Sequence, residues 1–306
     1  MHAIAVTPGP GDVLIEVHAA GVNRADLLQA RGAYPPPPGA SEILGLECAG
    51  VVTAIGDGVD PTLVGRRVMA LLDGGGYAEY VVAPATQLIP LATDVTRATD
   101  VTRAAALPEA LCTAWFNLVG ICHLEAGQTV LIQGGSGGVG HVAIQLARLL
   151  GARVLTTVGA PWKGERCVDL GADVAIDYHD DVPAAVAEAT GCRGVDVILD
   201  VLGAGGLADN LRMLVDGGQL AVIGLQQGRM GELDLGRLLS RRLTVHGSTL
   251  RARSRKEKAA IVAAAAPYAP YIEPSVHAVM PLRRAAEAHA LMDDPNTFGK
   301  VVLAVR

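Results

Sequence analysis

The sequence predicts an α/β protein in two parts, a β-rich domain and a doubly wound, six-stranded parallel sheet. Three observations carry that reading. From Thr129 to Gly247, short β-branched runs alternate with amphipathic helical runs, six strands with helices between them, the order that crossover-connected parallel strands require. The first of these strands, Val130–Gln133, enters the turn Gly134-Gly135-Ser136-Gly137-Gly138-Val139-Gly140 and passes directly into a helix over 141–150. Ahead of that region, the first third of the chain consists of short Val/Ile-rich runs bounded by glycine turns, with little helical periodicity.

Each element follows in order. Met1–Thr7 reads as a strand, since it lacks both the basic start and the long apolar stretch of a secretory leader. Val13–Ala19, Glu47–Ile55, Arg67–Leu72 and Tyr77–Val82 are the next strands. A short helix near Ala25–Arg31 and the extended loop Tyr34-Pro35-Pro36-Pro37-Pro38-Gly39 separate the first two of these. Ala92–Arg97 and Ala98–Arg103 are identical hexapeptides, which reads as a local duplication in a surface connection. A helix is predicted from Ala104 to Leu118.

The strand–helix pairs then run 130–133 with 141–150, 153–158 with 163–170, 174–178 with 182–190, 195–201 with 205–214 and 219–225 with 234–241, before a last strand at 243–247. The tail returns to mixed texture: helix Lys256–Ala266, strand Val276–Met280, helix Leu282–Met292 and strand Lys300–Val305. It is expected to rejoin the first domain.

The chain has 306 residues and a net charge of −6, so it carries no basic footprint for nucleic acid. No uncharged apolar run is long enough for a bilayer, and the expectation is a cytoplasmic protein. The five cysteines are scattered singly, which fits buried small hydrophobes. Lysine occurs at just four positions, Lys163, Lys256, Lys258 and Lys300.

The glycine turn points to a dinucleotide. Gly135, Gly137 and Gly140 fit G-x-G-x-x-G, while the density of glycines also allows a register on Gly135, Gly138 and Gly140. Such glycines let the pyrophosphate approach the backbone at Ser136 and Val139, and the helix start supplies N–H groups and the positive end of its dipole. The end of the next strand, Thr156-Thr157-Val158-Gly159-Ala160, lacks the acid that would take a ribose 2′-hydroxyl; Lys163 follows instead. A cation without a carboxylate suits a 2′-phosphate, hence NADPH. Leu202-Gly203 and Gly224-Leu225 follow later strands and close the cofactor cleft by position. His18, Glu47 and Cys48 are the candidate metal ligands of the first part, and they lack zinc spacing. With no nucleophile motif evident, the chemistry is assigned to the cofactor.

The chain resembles the zinc-independent quinone oxidoreductases of the medium-chain dehydrogenase/reductase superfamily, nearest the branch of the p53-inducible quinone oxidoreductase. The resemblance rests on residues 17–29, Gly32-Ala33-Tyr34-Pro35, Gly45-Leu46-Glu47-Cys48-Ala49-Gly50, Ala105–Ala110, Thr113-Ala114-Trp115, the glycine turn, Lys163, Tyr178 and residues 298–303. The cysteine and histidine that bind zinc in related enzymes are missing around Asn23–Asp26 and at Leu46.

The resemblance implies a GroES-like catalytic domain over residues 1–107 and 249–306, around a Rossmann domain over 108–248. It implies NADPH-dependent, metal-independent reduction of a quinone or conjugated carbonyl. Tyr34 and Asn23 are placed at the catalytic position, and Thr113 at the nicotinamide end. Lys163 and Tyr178 are placed at the 2′-phosphate and adenosine, with Ser248 and Arg251 covering the cofactor. A homodimer is implied, through the edge strand near Leu243–Gly247. Two departures stand out: the hairpin that family members carry before Gly11 is missing, which should bare a sheet edge, and the hexapeptide is duplicated. The alternatives are an NADPH-dependent enoyl or alkenal reductase, and a non-catalytic NADPH-binding structural or redox-sensing protein.

Overall fold

The computed structural model describes residues 6–91 and 98–306, with backbone alone for 98–100. Met1–Ala5 of the first predicted strand and the first hexapeptide copy, Ala92–Arg97, lie outside the described residues; Val6 and Thr7 are not strand. Contacts divide the chain into one unit of residues up to Cys112 and from Leu250 onward, and a second of Thr113–Thr249.

The first unit is built on β1 (Asp12–Gly21), whose side chains alternate between buried and half-buried along its first seven residues, as one core-facing side dictates. Helix α1 (Arg24–Ala30) follows, then β2 (Glu47–Ile55), β3 (Arg67–Leu71), β4 (Tyr80–Pro84) and β5 (Leu88–Pro90). β1 pairs antiparallel with β2 along its length, with β4 over Asp12–Glu16 and with the chain's last strand over Ala19–Gly21. Both edges of β1 are therefore paired, and the predicted bare edge does not fall on it. β4 begins at Tyr80 rather than Tyr77: Gly74 and Gly75 hold positive φ just before, and the Tyr77 amide is tied to the Leu44 carbonyl instead of a ladder.

The helix predicted from Ala104 to Leu118 is three pieces. They are α2 (Ala98–Ala104), α3 (Pro108–Trp115) and a π-helical segment Phe116–Ile121, with Pro108 opening the second. The second hexapeptide copy is therefore helix rather than surface connection, because Val101 is buried at 4% exposure. The stretch Val101–Ile121 is long and apolar enough to cross a membrane by length and composition, but 67% of its most apolar window is buried inside the protein, as in a core helix.

The second unit runs β6 (Thr129–Ile132), α4 (Gly140–Leu149), β7 (Arg153–Val158), α5 (Pro161–Asp169), β8 (Val174–Asp177), α6 (Val182–Ala189), β9 (Val195–Asp200), α7 (Leu207–Met213), β10 (Leu214–Val222), α8 (Leu235–Ser240) and β11 (Thr244–Gly247). Its six strands pair in parallel in the order β11-β10-β9-β6-β7-β8. The order reverses direction between β6 and β9, which makes a topological switch point. The central strands β6 and β9 are fully buried, since helices cover both faces of such a sheet. β10 starts five residues earlier than predicted, because Leu214 already pairs with Val195 before a register shift.

After Leu250 come α9 (Arg255–Ala265), β12 (Val276–Pro281), α10 (Ala285–Leu291) and β13 (Lys300–Ala304). The helix predicted from Leu282 opens as a 3₁₀ turn, Leu282–Arg284, before α10. β13 pairs with β12 in parallel and with β1 antiparallel, so the two ends of the chain share one seven-stranded sheet.

The turn after β6 has no room for side chains at two glycines. A Cβ on Gly135 would lie 2.0 Å from Thr156 Oγ1, and one on Gly140 would lie 2.2 Å from the Gly134 carbonyl oxygen. Gly140→Ala is expected to destabilise the protein by about 1–3 kcal/mol, read as a lowered urea midpoint with an unchanged m-value. An unchanged midpoint would show that the turn is looser than its geometry.

Candidate functional site

In the second unit, the carboxyl ends of the parallel strands gather the residues singled out from the sequence. Gly134 holds φ +71°, and its amide donates to Thr157 Oγ1 at 3.0 Å, while the Gly135 amide donates to the Thr157 carbonyl at 3.0 Å. β7 thus pins the glycine turn. Both predicted registers share Gly135 and Gly140, the two glycines with no space for a Cβ; at Gly137 the nearest atom, the Gly134 oxygen, would be 3.1 Å away. Ser136, Gly138 and Val139 complete the turn, and no side chain caps the start of α4. A helix start left uncapped by its own chain is the form that receives an anion.

Beyond the turn, Gln133 Nε2 donates to Asn210 Oδ1 at 2.6 Å, and Asn210 Nδ2 donates to Asp200 Oδ1 at 3.1 Å. The Asp200 carboxylate also accepts from the Leu202 and Gly203 amides at 3.1 and 2.9 Å, and burial pushes its carboxyl above the usual range. Gln133 Oε1 is buried with no hydrogen-bond partner. Leu202-Gly203 and Gly224-Leu225 lie together: a Cβ on Gly203 would meet Leu225 Cα at 3.0 Å, and one on Gly224 the Val201 carbonyl at 2.7 Å.

Lys163 stands in the first turn of α5, opening from β7, and is buried rather than solvated, with Nζ 5.4 Å from the Trp162 ring centre. Tyr178 follows β8, is 57% exposed, and lays its hydroxyl so close to Gly159 that a Cβ there would be 2.2 Å away. Sequence reasoning missed Asn117. It is buried, donates to the Thr113 carbonyl at 2.8 Å and accepts from the Ser248 hydroxyl at 2.6 Å, so it joins those two residues. Its position in the π-helical segment gave no periodic signal.

In the first unit, Asn23 precedes α1 and is buried. Its Nδ2 donates to Glu47 Oε1 at 3.0 Å, and its Oδ1 accepts from Lys300 Nζ. Lys300 also pairs with Glu47 at 2.6 Å, with the two side chains 2% and 0% exposed. The second Glu47 oxygen accepts from the Glu109 amide at 3.0 Å. Asp26 accepts from the Asn23 and Gly45 amides at 2.8 and 2.9 Å, and from the Tyr77 hydroxyl at 3.4 Å; Tyr77 in turn lies 3.2 Å from His289 Nε2. Burial pushes the Asp26 carboxyl up to about 6, against the pull of those two amides and of Lys300. The scarcity of lysine and the resemblance over residues 298–303 were the sequence signals for Lys300; no spacing marked Asp26 as its neighbour.

Tyr34 is half-buried, with the Arg251 guanidinium carbon 5.5 Å from its ring centre. Burial raises its phenol, opposed by Arg251 and assisted by Glu109. Of the candidate metal ligands, Glu47 already holds the Lys300 ammonium, and burial raises the Cys48 thiol strongly. The described residues contain no group of three or more His, Cys, Asp and Glu that could hold a metal.

Residues 9–93 match the family model of the alcohol dehydrogenase GroES-like domain, and residues 138–265 that of the zinc-binding dehydrogenases. The quinone oxidoreductase of Sus scrofa is 31% identical over 307 residues, covering 97% of this chain and 90% of that protein. The chain belongs to the quinone oxidoreductases of the medium-chain dehydrogenase/reductase superfamily. A phthioceranic/hydroxyphthioceranic acid synthase of Mycobacterium tuberculosis is 38% identical over 221 residues, 72% of this chain; that stretch is a tenth of the synthase's length. Among solved structures, a mycobacterial protein complexed with NADPH superposes with a TM-score of 0.86 at 32% identity, covering 100% of this chain and 95% of that one. The GroES-like and Rossmann folds predicted from the sequence are those of this superfamily.

Two outcomes test the buried cluster. Lys300→Met should cost about 3–5 kcal/mol by leaving Glu47 buried without its cation, and adding Glu47→Gln should recover most of that in a double-mutant cycle. For Asp26 the folded value of about 6 lies above the unfolded 3.8, so its stabilisation is complete below the unfolded value and is lost as pH rises through the folded one. Wild-type stability should carry a falling component of up to about 1.4 kcal/mol per pH unit across that window. Asp26→Asn should remove that component in urea titrations; an identical slope in the two proteins would refute the assignment.

Proposed function

We propose that the protein is an NADPH-dependent, metal-independent reductase of quinones or related conjugated carbonyls. The observation that carries this reading is the pairing of a glycine turn that admits no side chain at Gly135 and Gly140 with a buried lysine, not an acid, after the next strand. The cofactor fit rests on the structure's own features: the uncapped start of α4, the unpartnered Gln133 Oε1, and the absence of a carboxylate from Thr156 to Ala160. The NADPH complex of the mycobacterial relative and the pig quinone oxidoreductase support the same reading.

When bound, the nicotinamide supplies a hydride. The turn from Gly135 to Gly140 would hold the pyrophosphate with backbone N–H groups. Lys163 would pair with the 2′-phosphate, with Tyr178 beside the adenosine. Leu202, Gly203, Gly224 and Leu225 would wall the cofactor, with Thr113 and Ser248, both tied to Asn117, at its nicotinamide end. Tyr34 would donate a hydrogen bond to the acceptor's carbonyl oxygen as it gains charge. Asn23 has its second Nδ2 hydrogen to offer, the first being held by Glu47. Arg251 sits over Tyr34, where it lowers the cost of charge on the phenol.

We also place a homodimer at β11. This edge strand exposes Val245 (37%), and the preceding helix exposes Leu235 and Leu239 (65% and 81%), apolar area that a second copy would cover.

Steady-state NADPH oxidation with a panel of menadione, other quinones and enones tests the activity. Turnover with a quinone is expected; enone turnover without quinone turnover would make the protein an enoyl reductase, and tight NADPH binding with no turnover would make it a binding protein. In titrations, NADPH should bind more tightly than NADH, and Lys163→Ala should weaken NADPH by about tenfold or more while sparing NADH. Equal affinities in the wild type, unmoved by the substitution, would end the 2′-phosphate assignment.

A further inference from the structure

Arg251 is 5% exposed, and one of its nitrogens is unaccounted for. Nε and Nη2 both donate to the Asp73 carbonyl oxygen, at 2.9 and 2.7 Å. Nη1 is buried with no hydrogen-bond partner. A guanidinium nitrogen left unpaired in an interior costs what its hydration was worth, so a donor held in that state is suited to an acceptor arriving from outside.

The arginine is also fixed in place. Asp73 is anchored in turn, its carboxylate paired with Lys258, whose side chain is 3% exposed. Lys258 holds Asp73, Asp73 holds Arg251, and the Arg251 guanidinium carbon lies 5.5 Å from the Tyr34 ring centre. Lys258 and Arg251 are opposed by two carboxylates, Asp73 and Glu109, so what is left over at this place is a hydrogen-bond donor rather than a net charge. Glu109 acts on that phenol with the opposite sign, and more weakly than Arg251. A guanidinium fixed by two hydrogen bonds, with its third nitrogen buried and unpaired, favours an oxyanion over a neutral oxygen, because the charge-assisted hydrogen bond is the stronger one.

We infer that Arg251 Nη1 receives an acidic oxygen of the electron acceptor, and that the preferred substrates are conjugated carbonyl compounds carrying a carboxylate. The inference rests on the reading that Tyr34 lies at the acceptor. Arg251 is then a specificity-determining residue, and the neighbouring Tyr34 ring sets the flat acceptor beside it. A cofactor phosphate is the competing source of an acidic oxygen, and the experiment separates the two.

The probes are benzoylacrylate and its methyl ester, which share one conjugated skeleton and differ by a charge. Their binding to the protein is measured by calorimetry in the presence of NADP⁺, where no hydride is available, so the result does not depend on turnover. Menadione reduction is measured separately and reads the oxidoreductase assignment. The wild type should bind the acid about tenfold or more tightly than the ester. Arg251→Met should bring that ratio to about one, and Arg251→Lys should restore part of it. Equal binding of acid and ester by the wild type, or no binding of either, overturns the inference whatever the variants do. A ratio that survives in Arg251→Met while NADPH affinity falls overturns it too, and moves Nη1 to the cofactor.

Discussion

The ion pair between Lys300 and Glu47 governs the first unit, because both charges are out of water and neither could stay there alone. The side chains are 2% and 0% exposed and lie 2.6 Å apart. Such a pair contributes little net stability against apolar replacements, but each partner becomes very costly once the other is lost. It therefore acts as a constraint on geometry. Lys300 begins the last strand and Glu47 begins the second, so the pair fixes how the C-terminal segment returns to the sheet that the N-terminal segment starts.

Room for that pair has been made in the backbone. A Cβ on Gly21 would lie 2.2 Å from Glu47 Oε1 and 2.5 Å from the Ala105 carbonyl, so a glycine at the end of β1 is what lets the carboxylate sit there. Gly45, at φ +103°, brings its amide to Asp26 at 2.9 Å where any side chain would strike Gly76 and Tyr77. Asn23 then spans the cluster, touching Glu47 and Lys300 with its side chain and Asp26 with its amide. The start of α1, and with it the loop that carries Tyr34, is set by buried charge.

The second unit was largely legible in the sequence, and the reason is physical. Parallel strands buried on both faces give continuous apolar runs, crossover helices give a 3.6-residue period, and the glycine turn is demanded by contacts within a few residues or with the next strand. Gly135 is excluded from carrying a side chain by Thr156, the strand immediately after it. The buried cluster of the first unit was not legible. Asn23 and Lys300 stand 277 residues apart, and no period or spacing records such a partner. Arg251 and Lys258 were visible as residues, but their common dependence on Asp73 is a property of the folded loop. The helix predicted from Ala104 failed for a related reason: propensity joined what Pro108 and the π-helical segment divide into three.

The two units are built from different materials. The second unit removes side chains at Gly135 and Gly140 and leaves the start of α4 uncapped, with Lys163 and Asp200 buried in the same unit. The first unit buries lysine, arginine and carboxylates and balances most of them against one another, as charge out of water requires. The balance is complete at Lys300, where each oxygen of Glu47 and both polar ends of Asn23 are engaged. At Arg251 it is not: two nitrogens are held and the third is left. Gln29 Oε1 and both polar atoms of Gln87 are also buried without hydrogen-bond partners, but among the described residues Arg251 Nη1 is the one such atom that belongs to a cation. Its cost is borne by the folded protein at all times and would be recovered by a ligand oxygen, which is how the proposed affinity for a carboxylate would be stored before binding.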